Sequence, residues 1–314
     1  MNKKHLIFAL FVPVLFFLSG CTSAQRATPA TMPTTTPAAS PTPAATIVPG
    51  DVERTVTVGG TQRTYLLHIP QGLPTGKPIA LVFVFHSLVS DGNSARQDTG
   101  FNDVADAKGF LVVYPNGTGT DAYHLSWNAG LCCGVALKQN IDEKAFVRQI
   151  LADLNAVAEV DPKRVYATGW DNGAFLSYRL GCEMSDTFAA IAPMNGVLIF
   201  DPCLPEQPVS VIHLAGLNDL FIPYAGGGNI IDAGDTPYPS VEQVIATWVG
   251  IDGCSGDPQI SRDGLITRTV YAECKGGTGI ELDTMAGIGH GWPSRYAVPA
   301  SEMIWDFFAA HPKL

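Results

Sequence analysis

From residue 51 to the end of the chain, apolar and polar positions alternate in a way that predicts strands separated by helices. Ile79 to Phe85 is a nearly continuous apolar run, which is typical of a central strand buried on both faces. The other predicted strands are shorter runs of β-type residues bounded by turn residues. They are Thr55–Val58, Arg63–Ile69, Phe110–Tyr114, Arg164–Thr168, Ala189–Pro193, Val209–Leu214 and Ile280–Met285.

Segments of helical length lie between or after these strands. Asp142 to Val157 carries apolar residues at helical spacing, Asn172 to Leu180 starts directly after a strand, and Ser301 to Ala310 closes the chain. This α/β alternation predicts a mostly parallel central sheet with helices on both faces. One domain over residues 51–314 is expected, because no second linker or internal repeat interrupts the pattern.

The N-terminus has the pattern of an export signal. Lys3 and Lys4 precede an apolar stretch from Leu6 to Leu18, which is short of the roughly 20 residues that a membrane-spanning helix needs. It ends in Leu18-Ser19-Gly20-Cys21, which resembles the lipobox of bacterial lipoproteins. The resemblance implies a signal peptide at residues 1–20, cleavage before Cys21 and lipidation of that cysteine.

Residues 22–50 are almost entirely alanine, threonine, proline and serine. Such a composition buries too little apolar surface to fold, and its prolines favour an extended conformation. Residues 21–50 are therefore predicted to be a lipidated cysteine followed by a linker. The predicted location is the cell surface or extracellular space, with the lipid anchor as the only contact with the membrane.

The formal net charge of −10 argues against nucleic acid as a partner, because nucleic-acid binding requires clustered basic residues. Of the seven cysteines, those other than Cys21 are even in number, which predicts disulfides in an exported chain. Six cysteines allow 15 pairings. Spacing favours Cys254 with Cys274 and Cys182 with Cys203; the remaining candidates are Cys132 and Cys133. Without paired CxxC motifs or clustered histidines, we predict no metal site.

The most informative motif is Gly169-Trp-Asp-Asn-Gly173, which lies between a predicted strand and a predicted helix. A sharp turn with glycine at both flanks has the form of a nucleophile elbow, in which the central side chain projects over the sheet. The central residue is Asp171. The backbone N–H of the following residue, Asn172, is then available to stabilise an oxyanion.

Two further loops after predicted strands carry chemistry. Asp219 follows the strand that ends at Leu214, where its carboxylate can orient a histidine. His290 lies in the glycine-rich segment Gly287-Ile-Gly-His-Gly-Trp-Pro293. The order of nucleophile, acid and histidine is that of α/β-hydrolases, so we predict that Asp171, Asp219 and His290 form the catalytic set.

Neighbouring residues are predicted to complete the pocket. Ser87 and Leu88 directly follow the central strand, where this fold supplies its second oxyanion N–H. Trp127 and Trp292 are expected to line the pocket together with Asn172.

Several motifs along the chain together resemble the polyhydroxybutyrate depolymerase and feruloyl esterase-like family of α/β-hydrolases. The resemblance implies an α/β-hydrolase fold, a Ser-Asp-His triad, no cofactor and a small or oligomeric carboxylic ester as substrate. Asp219 and His290 fall on the acid and the base, whereas Asp171 replaces the serine. The motifs are Arg63-Thr-Tyr-Leu-Leu-His-Ile-Pro, Gly109-Phe-Leu-Val-Val-Tyr-Pro, Trp127-Asn-Ala-Gly-Leu-Cys-Cys-Gly, Arg164-Val-Tyr-Ala-Thr-Gly, Phe188-Ala-Ala-Ile-Ala-Pro, Gly289-His-Gly-Trp-Pro and Ile304-Trp-Asp-Phe-Phe.

The aspartate leaves three hypotheses. A carboxylate is a poor nucleophile toward an ester, so the family's ester hydrolysis is expected to be weak or lost. Alternatively, the protein binds ligands at the cell surface without catalysis. A third hypothesis, from a resemblance to haloalkane dehalogenases and epoxide hydrolases, is that Asp171 attacks an sp3 carbon and that His290 activates the hydrolytic water.

The lipid anchor gives the first prediction. Replacing Cys21 with alanine removes the acylated thiol, so the variant is expected in the medium or soluble fraction instead of the membrane fraction. Immunoblots of the separated fractions measure this distribution. Membrane association of Cys21→Ala at the level of the unchanged chain would count against lipidation.

Overall fold

The computed structural model describes residue 13 and residues 48–73, 76–293 and 297–314. The predicted signal peptide at 1–20, Cys21 and the linker up to residue 47 lie outside the described residues, apart from residue 13, and stay predictions. In the parts of the chain that are described, no helix is both long and apolar enough to cross a bilayer.

The strands lie close to the positions that the sequence pattern predicts. β3 and β12 have the predicted limits, the other six predicted strands differ by up to five residues at an end, and β5, β6, β10 and β11 were not predicted. The strands are β1 Gly50–Val58, β2 Thr61–Ile69, β3 Ile79–Phe85, β4 Leu111–Pro115, β5 Thr118–Gly119, β6 Leu125–Ser126, β7 Val160–Trp170, β8 Ala190–Met194, β9 Ser210–Gly216, β10 Gln259–Asp263, β11 Ile266–Tyr271 and β12 Ile280–Met285.

All three predicted helices are present among the described residues, and further helices appear that the periodicity did not predict. The helices are α1 Gly92–Thr99, α2 Phe101–Lys108, α3 Gly134–Lys138, α4 Glu143–Asn155, α5 Asn172–Glu183, α6 Val241–Asp252 and α7 Ala300–Ala310.

Ten of the strands form one sheet in the order β1-β2-β4-β3-β7-β8-β9-β12-β11-β10. Neighbours from β4 to β12 are parallel, whereas the pairs toward both edges are antiparallel. Alternate residues of β3 pack into two hydrophobic clusters, one containing side chains of α4, α5 and α6 and the other containing those of α1, α2 and α7. The prediction of a mostly parallel sheet covered on both faces is confirmed.

Two of the elements that sequence analysis missed lack a clear apolar pattern, whereas the missed helix α6 has apolar residues at helical spacing, Val241, Val244, Ile245 and Trp248. α1 is polar over most of its length and buries only small residues and Thr99. Every residue of β10 is exposed, so the edge hairpin that it forms with β11 shows no alternation of buried and exposed positions.

Three disulfides connect the cysteines of the described chain. Cys182–Cys203 and Cys254–Cys274 are the pairs that spacing favours, and the adjacent residues Cys132 and Cys133 form the third. Disulfides of this number are typical of proteins from oxidising compartments.

Both glycines of the 169–173 turn are required by close approach of backbone. A Cβ atom on Gly169 would lie 2.5 Å from the Phe85 carbonyl oxygen at the end of β3, and a Cβ on Gly173 would overlap the same oxygen. A carbonyl oxygen fixed in a central strand cannot move aside as a flexible side chain can. The turn between β7 and α5 therefore lies directly against the end of β3.

This contact predicts the effect of a single methyl group. Gly173→Ala is expected to lower the free energy of unfolding by about 1–3 kcal/mol, since it overpacks a rigid site. The matched control is Gly250→Ala in α6, because nothing lies within 4 Å of the added Cβ and the position is exposed. The control is expected to stabilise the protein by about 0.5–1 kcal/mol. Urea denaturation measures both changes; equal effects of the two variants would contradict the account.

Candidate active site

The three predicted catalytic side chains meet at the carboxyl ends of parallel strands. Asp171 follows β7, Asp219 follows β9 and His290 follows β12. His290 Nδ1 lies 2.8 Å from Asp219 Oδ2, and His290 Nε2 lies 3.8 Å from Asp171 Oδ1. The histidine is therefore placed between two carboxylates.

Asp171 occupies the tip of the turn with a left-handed backbone. Its φ is 56° and its ψ is −122°, a conformation that non-glycine residues rarely adopt. The Asp171 N–H donates to the Met194 carbonyl at 3.2 Å, which ties the turn to the end of β8. The strained geometry is that of a nucleophile elbow with an aspartate at its centre.

The Asp171 carboxylate accepts hydrogen bonds from the backbone donors expected to form an oxyanion hole. The Leu88 N–H donates to Oδ2 at 2.9 Å, and the Asn172 N–H also hydrogen-bonds the carboxylate. Burial raises the pKa of Asp171 above its ordinary value, although these two hydrogen bonds and the charge of His290 favour the ionised form. Leu88 thus supplies a backbone donor after β3, and the Asp171 carboxylate accepts it.

Asp219 is fixed from both sides. Its Oδ1 accepts the backbone N–H groups of Phe221 and Ile222, each at 2.9 Å, while Oδ2 faces His290. Its side chain is 1% exposed. The carboxylate is therefore held in the orientation needed to position an imidazole.

The electrostatics of His290 follow from this arrangement. Burial opposes the charged imidazole, but the hydrogen bond to Asp219 and the charges of Asp171 and Asp219 prevail and raise the pKa of His290. The imidazolium form is therefore favoured more strongly than in a site with one carboxylate.

Of the other predicted pocket residues, Ser87 is partly exposed and Asn172 is buried. The Ser87 carbonyl accepts a hydrogen bond from His86 Nδ1 at 2.7 Å, and Ser87 itself is only partly exposed. The Asn172 side chain is buried and pairs with the backbone of Trp127, accepting from its N–H and donating to its carbonyl.

The pocket position expected for Trp127 needs correction. Its ring is completely buried and packs against Phe85, and its Nε1 donates to the His86 carbonyl at 2.9 Å. A ring held in the core by this bond presents no face to a ligand. Trp292 is partly exposed, with ring centroids 6.0 Å from those of Phe101 and Trp170.

Sequence reasoning missed two residues that shape the site. His86 is fully buried, donates to the Ser87 carbonyl and accepts the Gly117 N–H at Nε2, and burial lowers its pKa to about 4. Asn195, directly after β8, hydrogen-bonds both the acid loop and the histidine loop. The position of each at the end of a parallel strand is the one signal that could have identified it.

Exposed apolar side chains border the site. Leu220 is 89% exposed and Phe221 is 76% exposed, and the Phe221 ring centroid lies 5.1 Å from that of His290. Among the described residues, no group of three or more histidine, cysteine, aspartate or glutamate side chains could hold a metal ion. Leu220 and Phe221 offer apolar contact to a ligand, and the backbone donors offer hydrogen bonds.

Solved esterase structures share this architecture. An acetyl xylan esterase from Aspergillus awamori aligns with a TM-score of 0.59 at 13% sequence identity, over 82% of this chain and 99% of that protein. Identity this low shows the fold alone. The molecule has the α/β-hydrolase fold, as the sequence motifs implied.

Sequence comparisons show which family within that fold the chain resembles. Residues 63–211 match the family model described as Esterase PHB depolymerase. Feruloyl esterase B from Piromyces equi is 27% identical over 253 residues, covering 78% of this chain and 44% of the relative. Poly(3-hydroxyalkanoate) depolymerase C from Paucimonas lemoignei is 25% identical over 247 residues, covering 72% of this chain and 58% of the relative.

Residues 63–211 are therefore similar to the PHB depolymerase family of esterases, and the resemblance drawn from the motifs is confirmed. The chain spans less than two thirds of the length of either relative.

The contact between His290 and two carboxylates predicts a pH effect. Asp171→Asn removes one negative charge without changing shape, so the pKa of His290 is expected to fall toward its ordinary value. The pKa of His290 is higher in the folded protein than in the unfolded chain. Protonated His290 therefore stabilises the fold at pH values below its unfolded pKa, and this stabilisation is lost as the pH rises through its folded pKa. The stability lost with rising pH should be smaller in Asp171→Asn.

NMR titration of the histidine ring protons measures the pKa of His290, and urea denaturation across the same pH range measures stability. An unchanged pKa of His290 in Asp171→Asn would contradict the electrostatic role assigned to Asp171.

Proposed function

We propose that this chain is an exported carboxylic-ester hydrolase-family protein that binds small or oligomeric esters and whose ester hydrolysis is weak or lost. The observation that carries the proposal is the 2.9 Å hydrogen bond from the Leu88 N–H to Asp171 Oδ2. The ester carbonyl oxygen needs that donor in the transition state.

With serine at position 171, the family chemistry would follow from the geometry. His290 would take the hydroxyl proton, the oxygen would attack the ester carbonyl, and the resulting oxyanion would accept the Leu88 and Asn172 N–H groups. Asp219 would hold the imidazole in position throughout. Water would then cleave the acyl-enzyme with His290 as the base.

Asp171 interferes with these steps of ester hydrolysis in two ways. Its carboxylate already uses the donors that the oxyanion requires, and its negative charge opposes the developing oxyanion. Attack by the carboxylate on an ester would also give a mixed anhydride, which is a high-energy product. Ligand binding can persist because neither effect closes the apolar border of the site.

The proposed ligand is an ester with an apolar or aromatic portion. Leu220 and Phe221 offer exposed apolar surface beside His290, where an acyl or alcohol group would lie. The names of the relatives, feruloyl esterase and poly(3-hydroxyalkanoate) depolymerase, support aromatic esters and hydroxyalkanoate oligomers as the first ligands to test. A chain that binds such esters without turnover would be a surface binding lipoprotein.

A second candidate function uses Asp171 as a nucleophile at an sp3 carbon. It is favoured by one observation: Oδ2 accepts the Leu88 N–H, which leaves Oδ1 on the side of His290, 3.8 Å from Nε2. Oδ1 would form a bond to carbon as the carbon–halogen bond breaks and halide leaves. Water deprotonated by His290 would then attack the carboxyl carbon and release the alcohol.

Export and anchoring complete the proposal. Three disulfides in the described chain support an oxidising location outside the cytosol. The lipobox-like sequence ending in Cys21 supports attachment to a membrane through lipid.

The decisive variant is Asp171→Ser. Loss of the serine nucleophile costs a serine protease on the order of a millionfold in kcat. Restoring a serine here is therefore expected to raise kcat for p-nitrophenyl acetate by about a thousandfold or more. Methyl ferulate and hydroxybutyrate oligomers extend the assay to the proposed ligands.

Asp171→Ala is the matched control, because it frees the backbone donors without supplying a nucleophile, and it is expected to stay near the activity of the unchanged chain. If the unchanged chain already equals the serine variant on esters, the proposal is wrong. Halide release from halo-alkanoates by the unchanged chain, absent in Asp171→Ala, would favour the second candidate instead.

A further inference from the structure

One side chain joins the loops that carry the acid and the histidine. Asn195 directly follows β8 and is buried, and its Oδ1 accepts the Gly216 N–H at 2.7 Å. Its Nδ2 donates to the carbonyls of Gly289 and Gly291, each at 2.9 Å. Both amide protons and the amide oxygen are therefore used, and the partners fix which end of the amide is which.

The partners of Asn195 all belong to the candidate site. Gly289 and Gly291 flank His290 on either side, and Gly216 ends the strand that leads to Asp219. A Cβ on Gly216 would lie 2.6 Å from the Ile288 carbonyl oxygen, so the end of β9 and the loop of His290 are in close backbone contact. The amide fixes their relative position where they touch.

The backbone of Asn195 connects these loops to the elbow. Its N–H donates to the Leu214 carbonyl of β9 at 2.9 Å, and the preceding residue, Met194, accepts the N–H of Asp171. Its φ is 45°, a left-handed conformation that asparagine tolerates better than most residues. Asn195 thus contacts the strand that leads to Asp219 and the loop of His290, and its neighbour Met194 contacts the elbow.

We propose that Asn195 is the positioning residue that sets the placement of His290 relative to position 171 and Asp219. The side chain touches none of the reacting atoms; it acts through the two carbonyls that flank His290. An aspartate of the same shape would lose both donors, and glycine would keep the backbone conformation but remove the amide. The effect of Asn195 on catalysis rests on the proposed function, whereas the placement of His290 can be measured without turnover.

The test uses Asn195→Asp and Asn195→Gly in the otherwise unchanged chain and in the Asp171→Ser background. In Asn195→Gly of the otherwise unchanged chain, NMR titration is expected to show the pKa of His290 falling toward its ordinary value, because the ring is no longer held against two carboxylates. Asn195→Asp adds a negative charge beside the His290 loop, which acts in the opposite direction, so this variant is assessed by kcat. In the serine background, kcat for p-nitrophenyl acetate is expected to fall about 10- to 100-fold with KM little changed, as for misplacement of about 1 Å.

The matched control is Asn116→Gly. The Asn116 amide also joins separate segments, accepting the Gly92 N–H and donating to Thr64 Oγ1, but it does not contact the His290 loop. It is expected to leave both the pKa of His290 and kcat unchanged.

Folded Asn195 variants with unchanged His290 pKa and kcat would overturn the proposal, and so would unfolding of both variants, which would make the role one of stability. If Asp171→Ser is inactive on all esters, the proposed function fails, but the pKa of His290 in the unchanged chain still decides the role of Asn195.

Discussion

The hydrogen bond from the Leu88 N–H to the Asp171 carboxylate is the contact on which the function of this site depends. The glycines at 169 and 173 bring the elbow against the end of β3, so position 171 lies beside the backbone donor that follows this strand. A serine there would leave the donor free for substrate. Asp171 uses it, so under the proposed function the carboxylate occupies the oxyanion hole.

The Asp171 carboxylate that accepts this hydrogen bond also changes the charge around His290. An esterase triad pairs one carboxylate with one imidazole, whereas His290 here faces Asp219 at 2.8 Å and Asp171 at 3.8 Å. The charge of the second carboxylate helps to raise the pKa of His290 and so favours the imidazolium, whereas only the neutral imidazole can accept a proton from a serine hydroxyl. Burial raises the pKa of Asp171 for an independent reason, since the ionised carboxylate is removed from water.

Sequence reasoning located the fold and the three central residues because each has a local signal. The limits of β3 follow from an apolar run, and Asp171, Asp219 and His290 lie in the turns and loops that follow β7, β9 and β12. Contacts between distant segments have no such signal. A tryptophan in a motif does not show which way its ring faces, so Trp127 was assigned to the pocket although it lies in the core; nothing in the sequence around Asn195 shows that its amide joins two loops.

Occupation of the oxyanion hole by Asp171 can be observed directly with the Leu88 amide proton. Its chemical shift should change with pH at the same midpoint as the carboxyl carbon of Asp171, because protonation of the carboxylate weakens the hydrogen bond that the amide donates. In Asp171→Asn that pH-dependent change should disappear. A Leu88 shift that is independent of the Asp171 titration in the unchanged chain would contradict the account, since the carboxylate would then lie outside the hole.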